Sequence, residues 1–296
     1  MAAFTTTDLI TSIRGRGAIP SSNTASNNNS DVGLLRIASE ELLIKLLPML
    51  LSTRSEFYAY IKDYAITINQ ADYEIPSRAS GMVLRDVQVV DGTSISSLSS
   101  IDSEHLSTTS SGTPVGFYLK HNQVVLYPTP SSTSGTLRLR YFLRPSKLVR
   151  PSDAAQVSAI DAATSTVTVT SIPAGFTTAF TYDLIKKSVP YAPLAIDQTP
   201  VSVVSTVITF SSLPSGLAVG DWIAFSDETP IPQIPQEFQA VLAQMTAVKY
   251  LEAAGDREGS AAAWKNLQQD MDSALKMITP RVVGERKIVR SRNWSR

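Results

Sequence analysis

The sequence predicts an α+β fold: a helical bundle from the N- and C-terminal segments, a central antiparallel β-sheet, and a small inserted β-barrel or sandwich. Three observations predict it. Apolar residues recur at helical spacing mainly towards the two ends of the chain. The middle carries β-branched and aromatic runs broken by turn residues. A second block of such runs, at 156–226, has prolines at its edges.

The elements follow in order. Thr7 or Asp8 is placed to cap a first helix with Leu9, Ile10 and Ile13 on its apolar face, and Gly15 and Gly17 stop it. Residues 21–30 are a polar, low-complexity loop with nothing to bury. Ser30 or Asp31 caps a stronger helix bearing Leu34, Leu35, Ile37, Ala38, Leu42 and Leu46, which Pro48 kinks or ends. Another helical piece is expected from Leu50 to about Tyr60, anchored by Phe57, Tyr58 and Ile61. Strands are then expected at Ala65–Ile68, around Val83–Val90, at Phe117–Leu119, Val124–Tyr127 and Leu137–Tyr141. Asp91-Gly92 and His121-Asn122 form turns, and Ser94–Gly112 reads as a long surface loop. In the 156–226 block, Val167–Thr170, Val201–Val204, Val207–Phe210 and Trp222–Phe225 are four further strands. Pro235 suits a first helical position. It opens an αα-hairpin: Phe238, Val241, Leu242, Met245 and Val248 line one helix, Gly255-Asp256 turns, and Trp264, Leu267, Met271, Leu275 and Ile278 line the next up to Pro280.

These elements divide the chain into an N-terminal arm and loop (1–30), a core made of 31–155 and 227–279, an inserted β-domain (156–226), and a basic tail (280–296). That tail carries Arg281, Arg286, Lys287, Arg290, Arg292 and Arg296 against a lone Glu285.

Composition excludes several classes of function. The 26 basic and 26 acidic side chains balance, so no global field draws the chain to nucleic acid or membrane. Without cysteine there is no disulfide or thiolate site, and His105 and His121 are not spaced for a metal. No secretory signal is expected, and the most apolar stretch, Leu42–Leu51, is far short of the ~20 residues of a membrane span. No Gly-x-Ser-x-Gly elbow or phosphate-binding Gly-x-x-x-x-Gly-Lys loop occurs. Glu40 and Glu41 could suggest acid–base chemistry on a glycoside, but adjacent helical residues diverge, and a solvated helix face is the expectation. No catalytic residue, metal or cofactor is therefore assigned.

The order of parts carries a resemblance. After the first helices come Tyr73-Glu74-Ile75-Pro76, Gly116-Phe117-Tyr118, Val125-Leu126-Tyr127-Pro128-Thr129-Pro130, Leu137-x-Leu139-x-Tyr141 and Arg144-Pro145-x-x-Leu148. Ile234-Pro235-Gln236-Glu237-Phe238 then opens the helical hairpin. This succession, over most of 31–279, resembles tailed-bacteriophage head-to-tail adaptor (connector) proteins. The 156–226 block departs from the smallest of them. The resemblance implies a structural virion protein of the neck, assembled in the host cytoplasm. It implies a ring, usually of twelve copies, beneath the portal protein and above downstream tail or neck proteins, through which DNA passes without sequence-specific binding. A lower-neck gatekeeper or tail-completion ring is the structural alternative, and a virion muramidase the enzymatic one.

The resemblance also implies that residues 280–296 reach up to grip the portal. The tail admits two further readings, a solvated terminus and contact with packaged DNA. Trp294, which has no core to join, is the candidate interface anchor. Phe117, Tyr118, Tyr127 and Tyr141 are expected to pack in or across strands, Trp222 to anchor the core of the inserted β-block, and Trp264 to be core.

Overall fold

The computed structural model describes residues 4–20, 28–53, 57–102, 104, 106, 110–133, 135–188 and 193–278. It is an α+β fold in which N- and C-terminal helices flank several β-sheets. Helix α1 (Thr6–Gly17) begins earlier than its sequence signals suggest: Thr5 holds the cap position, and Asp8 accepts from the Thr5 amide at 2.8 Å. It runs through Gly15 and closes on the left-handed Ala18. Helix α2 (Asp31–Glu41) is capped as expected by Ser30, whose hydroxyl accepts from Gly33 at 3.1 Å.

Pro48 does not end the helical path. A π-helical turn at Leu42–Leu46 widens the backbone, the Leu47 amide bonds Leu42 five residues back, and α3 (Leu47–Thr53) starts with Pro48 second in line. An amide-less residue is tolerated there because the first turn needs no donor. The expected helix from Leu50 to Tyr60 is overturned. Helix α3 stops at Thr53, and Ala59–Ala65 is a strand paired from Ala59↔Phe142 to Ala65↔Thr136. Partnering with a buried strand outweighs a local apolar spacing that fits either element.

At the other end, α4 (Gln236–Ala254), with Pro235 at its cap, turns at Gly255 (φ 80°) into α5 (Arg257–Ile278). Helix α4 packs against α1, α2 and α5. One apolar cluster, including Leu9, Leu34, Leu46, Phe238, Leu242 and Leu267, joins both chain ends, so the helical unit is discontinuous in sequence.

The expected central sheet is two sheets. The first runs in the order Ala59–Ala65, Thr136–Leu143, Ala79–Asp91, Ser94–Ser97, and is antiparallel throughout. The second runs Asp72–Glu74, Gln123–Tyr127, Gly116–Lys120, Ser99–Ser100, its last pair parallel. Residues of both, among them Tyr73, Val87, Leu126, Leu137 and Tyr141, form one buried cluster. Thr136–Leu143 alternates strictly, with Leu137, Leu139, Tyr141 and Leu143 inward. The turns at Asp91-Gly92 and His121-Asn122 close hairpins as expected. Two expectations fail here. The strand placed at Ala65–Ile68 lies earlier, at Ala59–Ala65, and the Ser94–Gly112 loop contains the short strands Ser94–Ser97, Ser99–Ser100 and Ser111–Gly112.

The four strands expected in the 156–226 block are present at Thr166–Val169, Pro200–Val204, Val207–Phe210 and Trp222–Phe225. Three more, Ala155–Asp161, Tyr182–Ile185 and Pro193–Gln198, complete a seven-stranded sheet. Its two halves share Ala155–Asp161 and enclose one cluster around Val157, Tyr182, Ile208 and Ile223. The outer strands, Pro193–Gln198 and Pro200–Val204, are consecutive in the chain, separated by Thr199 alone, and the pairings give the strand order without a hydrogen-bonded closure into a barrel or sandwich.

Candidate functional site

The side chains singled out for portal docking, Arg281, Arg286, Lys287, Arg290, Arg292, Trp294 and Arg296, lie outside the described residues, as does His105. The chain is described to Ile278, at the end of α5. Trp222 is buried, but not in the core of the inserted block that it is expected to anchor. It packs with Ala154, Ile185, Ala224 and Ile231, on the opposite side of its strand from the cluster that Ile223 joins. Trp264 is a correction: it is 37% exposed, donates its indole N–H to Glu252 at 3.1 Å, and lies 5.7 Å under the Lys45 ammonium. Its place on α5 faces the rim of the helical core. Glu41 is a second correction. Unlike the exposed Glu40 it is buried, and it pairs with Lys45 at 2.6 Å.

The densest polar constellation was not singled out from sequence. Arg78 follows the Pro76-Ser77 turn, its carbonyl accepting from Arg144 at 2.8 Å, and its guanidinium is buried. It donates to Asp183 at 3.0 Å and to the Ser146 hydroxyl at 3.0 Å. It also pairs with Asp197 at 3.5 Å and Asp227 at 3.4 Å. Asp183, buried in the strand Tyr182–Ile185, is the hub: its carboxylate also accepts from the Asp197 amide at 3.0 Å and the Asp227 amide at 3.2 Å. Asp197 and Asp227 hold left-handed backbone angles, φ 55° and 69°, which aim those amides inward while returning their carboxylates to Arg78. Burial pushes the Asp183 carboxyl above its ordinary value, with Arg78 pulling it down. The one local sequence signal is a carboxylate inside an otherwise apolar run, Tyr182-Asp183-Leu184-Ile185.

This knot joins the central sheets to the seven-stranded sheet. Beside it lies a cleft of about 450 Å³ lined by Tyr60, Tyr64, Arg78, Tyr141, Ile196 and Asp197. Burial raises the phenols of Tyr60 and Tyr141 above their ordinary value. A second groove, about 570 Å³, lies between α2 and residues 144–149, where Val32 and Leu43 are exposed. The π-helical turn also presents Ile44 to solvent, 68% exposed.

Among the described residues, no three His, Asp or Glu side chains are gathered to hold a metal ion, and no helix is long and apolar enough to cross a membrane. The profile of the SU10 adaptor protein family matches residues 5–184, from α1 through both central sheets and into the strand that carries Asp183. The chain belongs to that family. No curated protein matches it. As an SU10 adaptor protein, it is a structural component of tailed-phage virions that serves as a head-to-tail connector in the neck, and it is not an enzyme. Its partners are those of the head-to-tail machinery. The matched span takes in the first strands of the 156–226 block, which is thus not wholly foreign to the family.

Proposed function

We propose that this adaptor works as a closed ring of identical copies, twelve by analogy with the connectors it resembles, seated beneath the portal and continuing the DNA channel towards the tail. Residues 280–296 dock onto the portal, with Arg281, Arg286, Lys287, Arg290, Arg292 and Arg296 meeting acidic groups and Trp294 anchoring the contact. The observation that supports this best is where the tail departs. It follows α5 directly, and α5 belongs to the helical core shared by both chain ends, so the tail's pull would be delivered to an extensive apolar cluster of the subunit. Repetition around a ring makes a weak contact per copy strong in sum.

Within the subunit, we read 31–155 with 227–279 as the adaptor core and 156–226 as an inserted, incompletely closed β-barrel. The pairing of its entry and exit strands, Ala155↔Ile223 and Gln156↔Trp222, supports that reading, since an insertion leaves its host where it enters.

Negative-stain images of the purified protein, alone and mixed with portal, test the proposal. Rings that sit under the portal are expected, and removal of 280–296 is expected to leave rings that no longer dock. Rings that bind only beneath an adaptor already in place would instead assign a gatekeeper position.

A further inference from the structure

We infer that neighbouring copies are joined by β-strand addition, the Pro200–Val204 edge of one subunit pairing with the Ser94–Ser97 edge of the next; this rests on the ring reading above. An unpaired strand edge is a template for another strand, and proteins guard such edges with charges, prolines or brevity. Most outer strands here are guarded. Ala59–Ala65 carries Lys62 and Asp63, the latter tied to Arg138. Asp72–Glu74 carries two carboxylates, and Ser99–Ser100 is two residues long. Pro193–Gln198 opens with proline, and its Asp197 is held in the Arg78 knot.

Two edges are bare. Ser94–Ser97 is exposed along its length, with Ile95 56% exposed, and lies in a stretch, 92–101, without a charged residue. Pro200–Val204 has only its first residue to guard it, and Val201 and Val204 are 64% and 67% exposed. It lies in a stretch, 198–220, that is again uncharged in a chain with 18% charged residues. After the irregularity at Pro200, Ser202–Val204 pairs in even register with Val207–Thr209.

The occupant follows from number and kind. A closed ring needs a heterologous contact, two different surfaces on each copy that fit one another. The chain offers two bare edges of similar length, on different sheets, with no side chain larger than Ile or Val to hold a second backbone away. What each recognises is an uncharged extended strand, and each is such a strand.

The chain contains no cysteine, so introduced ones are unique. Ile95→Cys and Val204→Cys are made singly and together in the full-length protein and treated with a short bis-maleimide at ring-forming concentration. The double variant is expected to give a covalent ladder beyond the dimer, the two singles mixed only a dimer, and each single alone only monomer. In parallel, V201K/V204K is expected to raise the concentration for half-assembly by about tenfold or more, with circular dichroism unchanged, while V201T/V204T assembles as the parent does. Rings by negative stain without a ladder, self-linking of either single, or normal assembly of the lysine variant would overturn the proposal and leave the ring reading standing. Absence of rings in the parent protein, alone and mixed with portal, would overturn both.

Discussion

At the scale of single residues, the decisive side chain is Arg78, because its partners cannot follow it if it is removed. Asp183 is buried, and burial already holds its carboxyl above the ordinary 3.8 while Arg78 pulls it down. Arg78→Met leaves that charge unpaired and is expected to cost about 3–5 kcal/mol at neutral pH. The sign with pH follows. Without Arg78 the carboxyl rises further, and a group raised in the folded state stabilises when protonated and loses that contribution as pH rises through the raised value. The deficit of the variant should therefore shrink on acidification, measured as urea-unfolding midpoints at pH 7 and pH 5; an equal deficit at both would exclude Asp183 as its source. Asp63 is the counter-case. Its partly exposed carboxylate is held below 3.8 chiefly by the hydrogen bond from Arg138. Asp63→Asn should cost less than about 1 kcal/mol. That small contribution is present above the ordinary carboxylate value and is lost as pH falls through the depressed one, the opposite slope to R78M. Apart from the lone carboxylate in the apolar run Tyr182–Ile185, the Arg78 knot is not legible in sequence, since Asp183 and Asp197 lie 105 and 119 residues away along the chain, Asp227 farther still, and only the fold brings them together.

At the scale of elements, most of what a single segment's period sets is legible in the sequence. The apolar stripes of α2, α4 and α5, the alternation of Leu137–Tyr141 and four strands of the 156–226 block are each set by a period within one segment. The errors fall where a partner decides. Ala59–Ala65 has residues that suit a helix or a strand, and its pairing with Thr136–Leu143 settles the matter. Ser99–Ser100 and Ser111–Gly112 are strands only because Gly116–Phe117 and Thr129–Pro130 lie alongside them. Trp264 sits on a helix whose buried stripe passes through Ala263 and Leu267, so a heptad-like spacing alone places it too far inward. The π-helical turn has no clear local signature apart from the proline it accommodates. It yields a sharp prediction: an interior proline costs ~3 kcal/mol, but Pro48 sits second in α3, where no donor is needed. Pro48→Ala should therefore change stability by less than about 1 kcal/mol, seen as a small shift in thermal midpoint. A large stabilisation would mean that the proline strains the helix.

At the scale of the whole molecule, overall neutrality conceals a division. The tail holds six of the 26 basic side chains and one of the 26 acidic, so the rest of the chain bears a net charge of −5 and the tail +5. The two proposed interfaces are accordingly of different physical kinds. Ring closure through Ser94–Ser97 and Pro200–Val204 uses backbone hydrogen bonds and uncharged side chains, whereas portal docking through 280–296 relies on cations meeting anions. Salt should separate them. Raising ionic strength from about 0.1 M to about 1 M shortens the screening length from ~10 Å to ~3 Å, which weakens attraction between exposed charges and leaves strand pairing and apolar contact largely intact. Sedimentation of an adaptor–portal mixture across that range is expected to show free rings appearing while subunits remain assembled. Replacing Arg286, Lys287, Arg290 and Arg292 with glutamine should produce the same free rings at low salt. If subunits separate before the rings leave the portal, the charges hold the ring together and not the junction. If docking survives high salt unchanged, Trp294 and other apolar contacts carry the junction instead, and Trp294→Ala becomes the variant that should release it.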